Sequence, residues 1–380
     1  MRNLVELDAL RLTVVVDNEV DTMSSVPKEL GFASQAQRLF KDLRNIDQEK
    51  SNVDENGAHC PHPGHRDDEQ HVRSVAYDFM DLCCGAHGLS ILVTGIKGNV
   101  EHRVLFDTGP QSAIFLENAK RLELEFEKIE VIVLSHWHID HSGGMLAAVD
   151  KCREARQHQQ KTGQVIVDLH PDRPDQRGSC LTRLPPPGQE PPQETPLIEY
   201  VAWGADPSFE GLETKGAKIT KHGEAHTICE GFFGISGLIP RLTSYETGIP
   251  NHVRWSNTTR SWSSEPEIMD ERYLVAKVKS KGIVVLTGCS HAGVINVCKD
   301  VQNAFAKEDE LFFVVGGFHL AGATVETRIA ETVKDMISIN PSFMAPGHCS
   351  GWRSKLALEN AMPGRVVSLG VGSDFVITEQ

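Results

Sequence analysis

Short runs of apolar residues, many of them β-branched, recur along the chain and predict strands. Residues 10–17, with the sequence LRLTVVVD, form such a run and predict a buried strand near the N-terminus. Residues 89–94 and 104–107 are two further apolar runs with turn-forming residues between them, as in a hairpin. Beyond them, the pattern predicts strands at 131–135 and 165–170 with a helix between them at 144–159.

The second half of the chain repeats this interleaving of strands and helices. The pattern there predicts a hairpin at 273–279 and 282–287, helices at 292–303 and 324–339, strands at 311–315 and 343–345, and a closing hairpin at 366–370 and 375–378. Hairpins imply sheets that are partly antiparallel. Because each sheet and each helix must bury an apolar face, two sheets inside with helices outside is an economical arrangement.

Two segments interrupt the pattern and predict insertions. Residues 47–71 are polar and proline-containing, and their histidines and cysteine (His59, Cys60, His62 and His65) have a spacing that favours a solvated loop over a small metal site. Residues 171–196 include the sequences LPPPG and PP. Proline at that density is incompatible with a helix or a central strand, so we expect an exposed loop there.

Composition narrows the class of protein. With 38 Lys and Arg against 52 Asp and Glu, the net charge is −14, which disfavours binding to a nucleic-acid backbone. No apolar run approaches the ~20 residues that cross a membrane, and no signal sequence is recognised. The nine cysteines are odd in number and dispersed, as in reduced thiols. We therefore expect a cytoplasmic protein that binds a small molecule, without a nucleic-acid or membrane partner.

The strongest chemical signal is the sequence SHWHIDHSGG at 135–144, where a predicted strand ends and a helix begins. Residues two apart in an extended segment point the same way, so His136 and His138 can present their rings to one point. Asp140 and His141 follow as the chain turns, and the glycines at 143–144 permit a tight turn. Imidazoles and a carboxylate at this spacing suit zinc, iron or manganese.

Three later histidines each follow an apolar strand and lie beside glycine. They are His291 in TGCSHAG, His319 in GGFHL and His348 in PGHCSGW. Loops at strand ends are where functional residues of open α/β folds gather. The local motif cannot complete the metal site alone, and these histidines are the candidates for the distant ligands that it requires.

These motifs resemble the metallo-β-lactamase-fold superfamily, whose signature is the sequence HxHxDH after a strand. Further stretches resemble its dihydropteroate-synthase-like branch, named for an enzyme that makes a ribofuranosyl-aminobenzene phosphate pterin: VDN at 16–18, HGLS at 87–90, LFDTG at 105–109, and the three histidine motifs above. The resemblance implies an αβ/βα sandwich of two mixed β-sheets flanked by helices. It also implies one domain over residues 1–380, with insertions at about 47–71 and 171–266.

The resemblance further implies a set of ligands that binds one or two metal ions. Zinc is the foremost candidate, with manganese or iron as alternatives. Carried over, His136 and His138 bind the first ion, and Asp140 and His141 the second. The other implied ligands are His291 and the strand-end His348. The superfamily usually has a bridging Asp after Thr-Gly, where this chain has Cys289, a further candidate ligand.

Four more residues receive roles in this interpretation. His319 is expected to face the substrate as an acid, with metal ligation as the alternative. Arg241 is expected either to hold a substrate carboxylate or phosphate or to be an ordinary surface arginine. Asp107 and Ser135 are expected to bind the outer ring nitrogens of the ligands.

The function expected is a metal-dependent hydrolase that uses a metal-activated water on an ester, lactone, amide or phosphoester, with Asp140 orienting the nucleophile. The alternative is a synthase or lyase that makes or breaks a C–C or C–N bond on a small, pterin-like or secondary metabolite. The intact HxHxDH motif disfavours a ligand-binding pseudoenzyme. The lack of a recognisable flavin-binding segment disfavours a di-iron redox protein.

Overall fold

The computed structural model describes residues 4–35, 79–182, 198–306 and 309–379. The strands within these residues are, in chain order, β1 (Glu6–Leu7), β2 (Ala9–Val16), β3 (Ser90–Lys97), β4 (Val100–Phe106), β5 (Ile129–Val133), β6 (Val165–Leu169), β7 (Gln176–Thr182), β8 (Ile198–Ala202), β9 (Ala217–Lys221), β10 (His226–Ile228), β11 (Phe233–Ile235), β12 (His252–Ser256), β13 (Ser261–Ser264), β14 (Tyr273–Val278), β15 (Gly282–Thr287), β16 (Leu311–Gly317), β17 (Phe343–Gly347) and β18 (Asp374–Thr378). The α-helices there are α1 (Ser112–Arg121), α2 (Ile139–Ser142), α3 (Met145–His158), α4 (Phe209–Thr214), α5 (Val294–Ala304), α6 (Ile329–Ile339) and α7 (Trp352–Ala361). None of these helices is both long and apolar enough to cross a membrane.

Two seven-stranded mixed sheets form the centre of the described structure. One has the order β18-β2-β3-β4-β5-β6-β9, and the other has the order β10-β11-β14-β15-β16-β17 with β1 beside β14. Each sheet changes from antiparallel to parallel pairing: β3 and β4 are antiparallel whereas β4 and β5 are parallel, and β14–β15 and β15–β16 repeat this change. The two predicted hairpins at these strands are confirmed.

Alternation along the strands places the core in three layers. Val104 and Phe106 of β4 lie in the core between the two sheets, whereas Leu105 packs with α1 and α3 on the outer side. In β15, Leu286 lies between the sheets and Val285 packs under α5, α6 and α7. The fold is therefore the predicted αβ/βα sandwich of two mixed sheets flanked by helices.

The predicted closing hairpin is wrong. Only β18 forms a strand, and it pairs antiparallel with β2, whereas Val366 makes a single bridge to Met344. Val367 and Leu369 are buried in the core between the sheets. Their apolar alternation therefore reflects packing of an irregular segment and not strand pairing.

A third, four-stranded sheet with the order β13-β12-β7-β8 is built from the segment expected to be an insertion; we call it the inserted sheet. The same segment also supplies β9 to one central sheet and β10 and β11 to the other. The expectation of a loop throughout 171–196 is wrong at Gln176–Thr182, because this strand precedes the proline cluster. The prolines at 185–192 and the predicted insertion at 47–71 lie outside the described residues.

Candidate metal centre

The sequence-predicted residues gather at one edge of the two sheets, where several strands end. Asp107 follows β4, His136 follows β5, His291 follows β15, His319 follows β16 and His348 follows β17. In α/β sheets, ligands bind outside the carboxyl ends of the strands. Distant parts of the chain therefore converge on one site because of the sheet topology.

Backbone strain marks the same strand ends. Asp107, Ser290, His319 and His348 have left-handed φ values of 59°, 59°, 45° and 47°. An L-residue adopts this conformation at a cost of about 1–2 kcal/mol, and such residues cluster at functional sites. The strain is thus concentrated in the loops that carry the site residues.

The glycines after the HxHxDH motif serve a different purpose from the one predicted. Gly143 and Gly144 have ordinary negative φ values of −63° and −88°, so the turn does not require glycine. A Cβ atom would lie 2.0 Å from the carbonyl oxygen of Pro110 at position 143, and 2.3 Å from that of Thr108 at position 144. Close packing of the motif against the loop after β4 is what excludes a side chain here.

Three buried histidines bring ring nitrogens to one point and form the first donor set: His136, His138 and His291. Nε2 of His136 lies 2.9 Å from Nδ1 of His138 and 3.1 Å from Nε2 of His291. The remaining separation, between Nδ1 of His138 and Nε2 of His291, is 3.2 Å. Two nitrogen ligands of one tetrahedral zinc ion are about 3.3 Å apart, given Zn–N bonds of about 2.0–2.1 Å. The first donor set fits a single ion.

The protonation of these rings also favours a cation. Burial lowers the pKa of His136, His138 and His291 well below the ordinary value, so the rings are neutral. Ser135 Oγ donates to Asp107 Oδ2 at 2.7 Å and therefore accepts from Nδ1 of His136 at 2.9 Å. Nε2 of His136 is then a lone pair that faces the other two rings.

A second donor set lies beside the first and consists of Asp140, His141, Cys289 and His348. Nε2 of His141 lies 3.2 Å from Sγ of Cys289, and Nε2 of His348 lies 3.3 Å from Oδ2 of Asp140. That His348 nitrogen is buried and makes no hydrogen bond of acceptable geometry. A carboxylate, two imidazoles and a thiolate are zinc ligands, so the residues of this set fit a second ion.

Charge distinguishes the second donor set. Burial alone raises the pKa of Asp140, but His141 and His348 lower it overall, so the carboxylate is ionised. Burial opposes protonation of His141, yet Asp107 and Asp140 raise its pKa to about 9. Burial raises the pKa of the Cys289 thiol and lowers that of His348 to about 4.

Hydrogen bonds orient the ligand rings from outside. Nδ1 of His141 donates to Asp107 Oδ2 at 2.6 Å, so Asp107 serves one histidine of each donor set, directly or through Ser135. Nδ1 of His348 donates to Oδ1 of Asn18 at 3.1 Å. Such partners set the ring orientation and the tautomer of metal ligands. The contacts of Asp107 and Ser135 are those expected from the sequence.

A cavity of about 290 Å³ opens beside both donor sets. It is lined by residues from the two sets, by rim residues and by apolar side chains, namely His87, His138, Ile139, Asp140, Trp203, Ile249, Cys289, His291, His319, His348 and Cys349. The described lining contains neither lysine nor arginine. A bound molecule would therefore meet imidazoles, one carboxylate, two cysteines and apolar groups.

The remaining predicted residues divide between the cavity and the surface. His319 lines the cavity with its ring 4.5 Å from that of His291, but it belongs to neither donor set. Burial lowers the pKa of His319 to about 4. Arg241 does not line the cavity, because its guanidinium donates to the carbonyl oxygens of Ile239 and Glu267. The structure thus gives Arg241 a main-chain role in place of the expected substrate contact.

Three residues near the site were not singled out as site residues from the sequence. Trp203 follows β8 and lies against His138, with ring centroids 5.0 Å apart. His252 on β12 is buried, with Nε2 3.1 Å from Nε2 of His138. His87 lies at the cavity rim, with Nε2 3.6 Å from Oδ2 of Asp140. Only His87 belongs to a motif recognised in the sequence.

Two other groups of metal-ligating side chains lie elsewhere in the described structure, one formed by Asp168, His222 and His226, and one by His102, Glu130 and Cys229. Asp168 is already paired with Arg272 at 2.6 Å, and Glu130 with His102 at 2.9 Å. The ion pair with Arg272 accounts for the first group, and the hydrogen bond between His102 and Glu130 joins two members of the second. Neither adjoins the cavity.

Comparison with known proteins agrees with this geometry. Residues 86–233 match the family model of the metallo-beta-lactamase superfamily. The 7,8-dihydropterin-6-methyl-4-(beta-D-ribofuranosyl)-aminobenzene-5'-phosphate synthase of Methanocaldococcus jannaschii is 24% identical over 278 residues, which cover 71% of this chain and 82% of that protein. An uncharacterized protein of the same organism, MJ0448, is 29% identical over 283 residues, 74% of this chain and 91% of its own.

A solved structure shares the fold over nearly the whole chain. The crystal structure of Tm1679, described as a metal-dependent hydrolase of the beta-lactamase superfamily, covers 96% of this chain and 98% of its own, with a TM-score of 0.58 at 20% identity. The family match includes the HxHxDH motif and its strand, and the shared fold extends to the later histidines. The chain is therefore similar to the metallo-beta-lactamase superfamily over residues 86–233 and to the dihydropterin aminobenzene-phosphate synthase over 71% of its length.

Proposed function

We propose that the chain is a metal-dependent hydrolase of a small organic substrate. The observation that supports this is the pair of adjacent donor sets opening into one cavity. Divalent ions held at such sites act as Lewis acids and activate water for attack near neutral pH. The ions proposed are zinc, one or two per chain, with manganese or iron as alternatives.

Residues at the cavity provide positioning and proton transfer. Asp140 has its Oδ2 between His348 and His87, so it is placed to orient the attacking nucleophile while ligating. Asn18 donates to Nδ1 of His87 at 3.0 Å, so the proton of a neutral His87 is on Nε2, which faces the cavity rim. His319 is proposed to hydrogen-bond the substrate group that develops negative charge.

The cavity restricts the substrate class. Its volume of about 290 Å³ corresponds to a small molecule, and Trp203, Ile139 and Ile249 offer an apolar wall. Because the described lining has no lysine or arginine, a strongly anionic group would depend on the metal ions alone. We therefore expect uncharged esters, lactones or amides to be better substrates than phosphoesters.

A second candidate function is a synthase or lyase that uses the same ions as Lewis acids on a C–C or C–N bond. The observation in its favour is the similarity, at 24% identity over 71% of this chain, to a protein named as a synthase. The two functions differ in one measurable respect. Only a hydrolase transfers a solvent oxygen atom to its product.

The test begins with elemental analysis of the purified protein and continues with the loaded protein incubated with esters, lactones, amides and phosphoesters in H₂¹⁸O. Product that carries one ¹⁸O atom, in wild type but not in the His136→Ala/His138→Ala variant, supports the hydrolase. Turnover without ¹⁸O supports the synthase or lyase. Iron without ¹⁸O incorporation would reopen the redox alternative, and no metal even after reconstitution would contradict the proposal.

A further inference from the structure

His252 connects the inserted sheet to the first donor set. It lies on β12, its side chain is fully buried, and both of its ring nitrogens have close partners. Nδ1 lies 2.7 Å from the carbonyl oxygen of Glu265, and Nε2 lies 3.1 Å from Nε2 of His138. The contact with His138 is on the side of that ring opposite to the donor nitrogen Nδ1.

The proton positions along this row of hydrogen bonds follow from the acceptor at its end, the carbonyl oxygen of Glu265. A carbonyl oxygen only accepts hydrogen bonds, so Nδ1 of His252 must carry a proton and donate to Glu265. In the neutral ring, Nε2 of His252 is then an acceptor. Nε2 of His138 must therefore carry the proton between the two rings, which leaves Nδ1 of His138 as a lone pair directed at His136 and His291.

We propose that His252 is a positioning residue that holds His138 in the tautomer with a free Nδ1 lone pair, and that the inserted sheet is thereby part of the first metal site. The proposal rests on the proposed metal site but not on which bond the protein cleaves. Histidine ligands commonly donate their outer N–H to a carboxylate, carbonyl or water. Here a second imidazole, supplied by the inserted sheet, takes that role.

An independent contact joins the inserted sheet to the same loop. Arg177 on β7 is buried, donates to the carbonyl oxygen of Trp137 at 2.8 Å and pairs with Asp270. Oδ2 of Asp270 accepts from the backbone N–H of Trp137 at 2.7 Å. The residue between the two ligands His136 and His138 is thus held at both its N–H and its C=O. The inserted sheet therefore fixes the backbone as well as one ring of the first donor set.

The same sheet also reaches the cavity. Trp203 follows β8, and its backbone N–H donates to the carbonyl oxygen of Arg177 at 2.8 Å. Its ring lies 5.0 Å from His138 and 5.3 Å from His252. A molecule that contacts Trp203 therefore touches the unit that orients His138. Substrate contact and metal-ligand orientation depend on one structural element.

The test compares His252→Phe, His252→Gln and Val253→Ala with wild type. Phenylalanine keeps a ring but removes the acceptor, whereas the glutamine amide oxygen can accept from His138. Val253 is the buried neighbour on β12, so its truncation controls for loss of packing in the strand. Zinc affinity is measured by competition with a chelator. In parallel, ¹⁵N NMR of histidine-labelled, metal-free wild type locates the ring protons of His138 and His252.

We expect His252→Phe to weaken zinc binding at the first donor set about 10- to 100-fold. His252→Gln should recover most of that loss, Val253→Ala should bind as wild type does, and NMR should find the protons on Nε2 of His138 and Nδ1 of His252. The proposal would be overturned if His252→Phe bound zinc as tightly as wild type, or if His252→Gln or Val253→Ala lost as much affinity as His252→Phe. A proton on Nδ1 of His138 would also overturn it. The NMR result stands even if a variant fails to fold, and none of these readouts requires a known substrate.

Discussion

The two donor sets lie side by side at the same sheet edge, yet they differ in charge. The first contains three histidines that burial keeps neutral, whereas the second contains the ionised Asp140, the thiol of Cys289 and a histidine, His141, whose pKa is raised to about 9. Ligation by a thiolate and a carboxylate would offset the charge of a divalent ion in the second set. The first set offers no such compensation.

Because of this difference in charge, two ions here would not be equivalent. An ion among neutral imidazoles would keep its full charge and would polarise a substrate oxygen strongly, because Coulomb energies are large in a partly buried site. An ion in the second set would be closer to electroneutral and would be better suited to hold a nucleophile or a leaving group in place. Substitutions that remove side chains from one set or from both test this difference.

The largest effect is expected from His136→Ala combined with His138→Ala. Two of the three donors of the first set are lost, so its ion should be absent and hydrolysis should fall to background. Elemental analysis should find at most the ion of the second set. His158→Ala, at the exposed end of α3, is the control. Full metal stoichiometry in the double variant would show that these histidines are not ligands.

Asp107→Asn tests whether one residue supports both sets. The side-chain shape is retained and asparagine tolerates the left-handed φ of 59°. Oδ2 of Asp107 accepts from Ser135 Oγ and His141 Nδ1, and Oδ1 accepts from the backbone N–H of Ser135, so the amide NH₂ of asparagine would face a donor at either position. We expect the affinity of both sets for zinc to fall about 10- to 100-fold, measured by chelator competition. A loss confined to one set would separate the two sites.

Cys289→Ser should act on the second set alone. A hydroxyl ligates more weakly than a thiolate, so thiophilic ions such as Cd²⁺ should lose more affinity than Mn²⁺. With Co²⁺ as a probe, the thiolate-to-metal absorption band should disappear in the variant while the first set remains loaded. If the band and the metal count stay unchanged, Cys289 is a bystander.

The smallest effect on metal content is expected from His319→Ala. His319 lines the cavity but belongs to neither donor set, so both ions should remain while kcat falls about 10²- to 10³-fold, the range for a lost oxyanion donor. Parallel elemental analysis and kinetics check this. Loss of an ion would instead identify His319 as a ligand.

Much of the site is local in sequence or follows from strand ends, and this part is predictable. The spacing in HxHxDH places four donors within six residues, and His291 and His348 follow apolar strands that end at the same edge. The interleaving of hairpins and helices likewise predicts the layers of the sandwich. Strand alternation and sheet topology account for where these residues lie, and the family resemblance implies the sandwich and the ligand roles of His291 and His348.

His252 and Trp203 show where sequence reasoning stops. Their places depend on the inserted sheet, in which His252 is paired with Ser179 across about 70 residues of chain, and no local pattern encodes that register. Glycine at 143 is explained by the nearby Pro110 carbonyl, which is itself a tertiary contact. Such positions require knowledge of what lies next to them in space.

The left-handed residues at the strand ends set thermal stability against function. Glycine at position 107, 290, 319 or 348 would relieve about 1–2 kcal/mol of backbone strain, but at three of them it would also delete a side chain that faces the ions or orients their ligands. The side chains at 107, 290 and 348 are also buried and hydrogen-bonded, so their loss would leave space and unpaired polar groups that offset the relief of strain. A search for durable active variants should hold these four positions constant and accept their cost to stability.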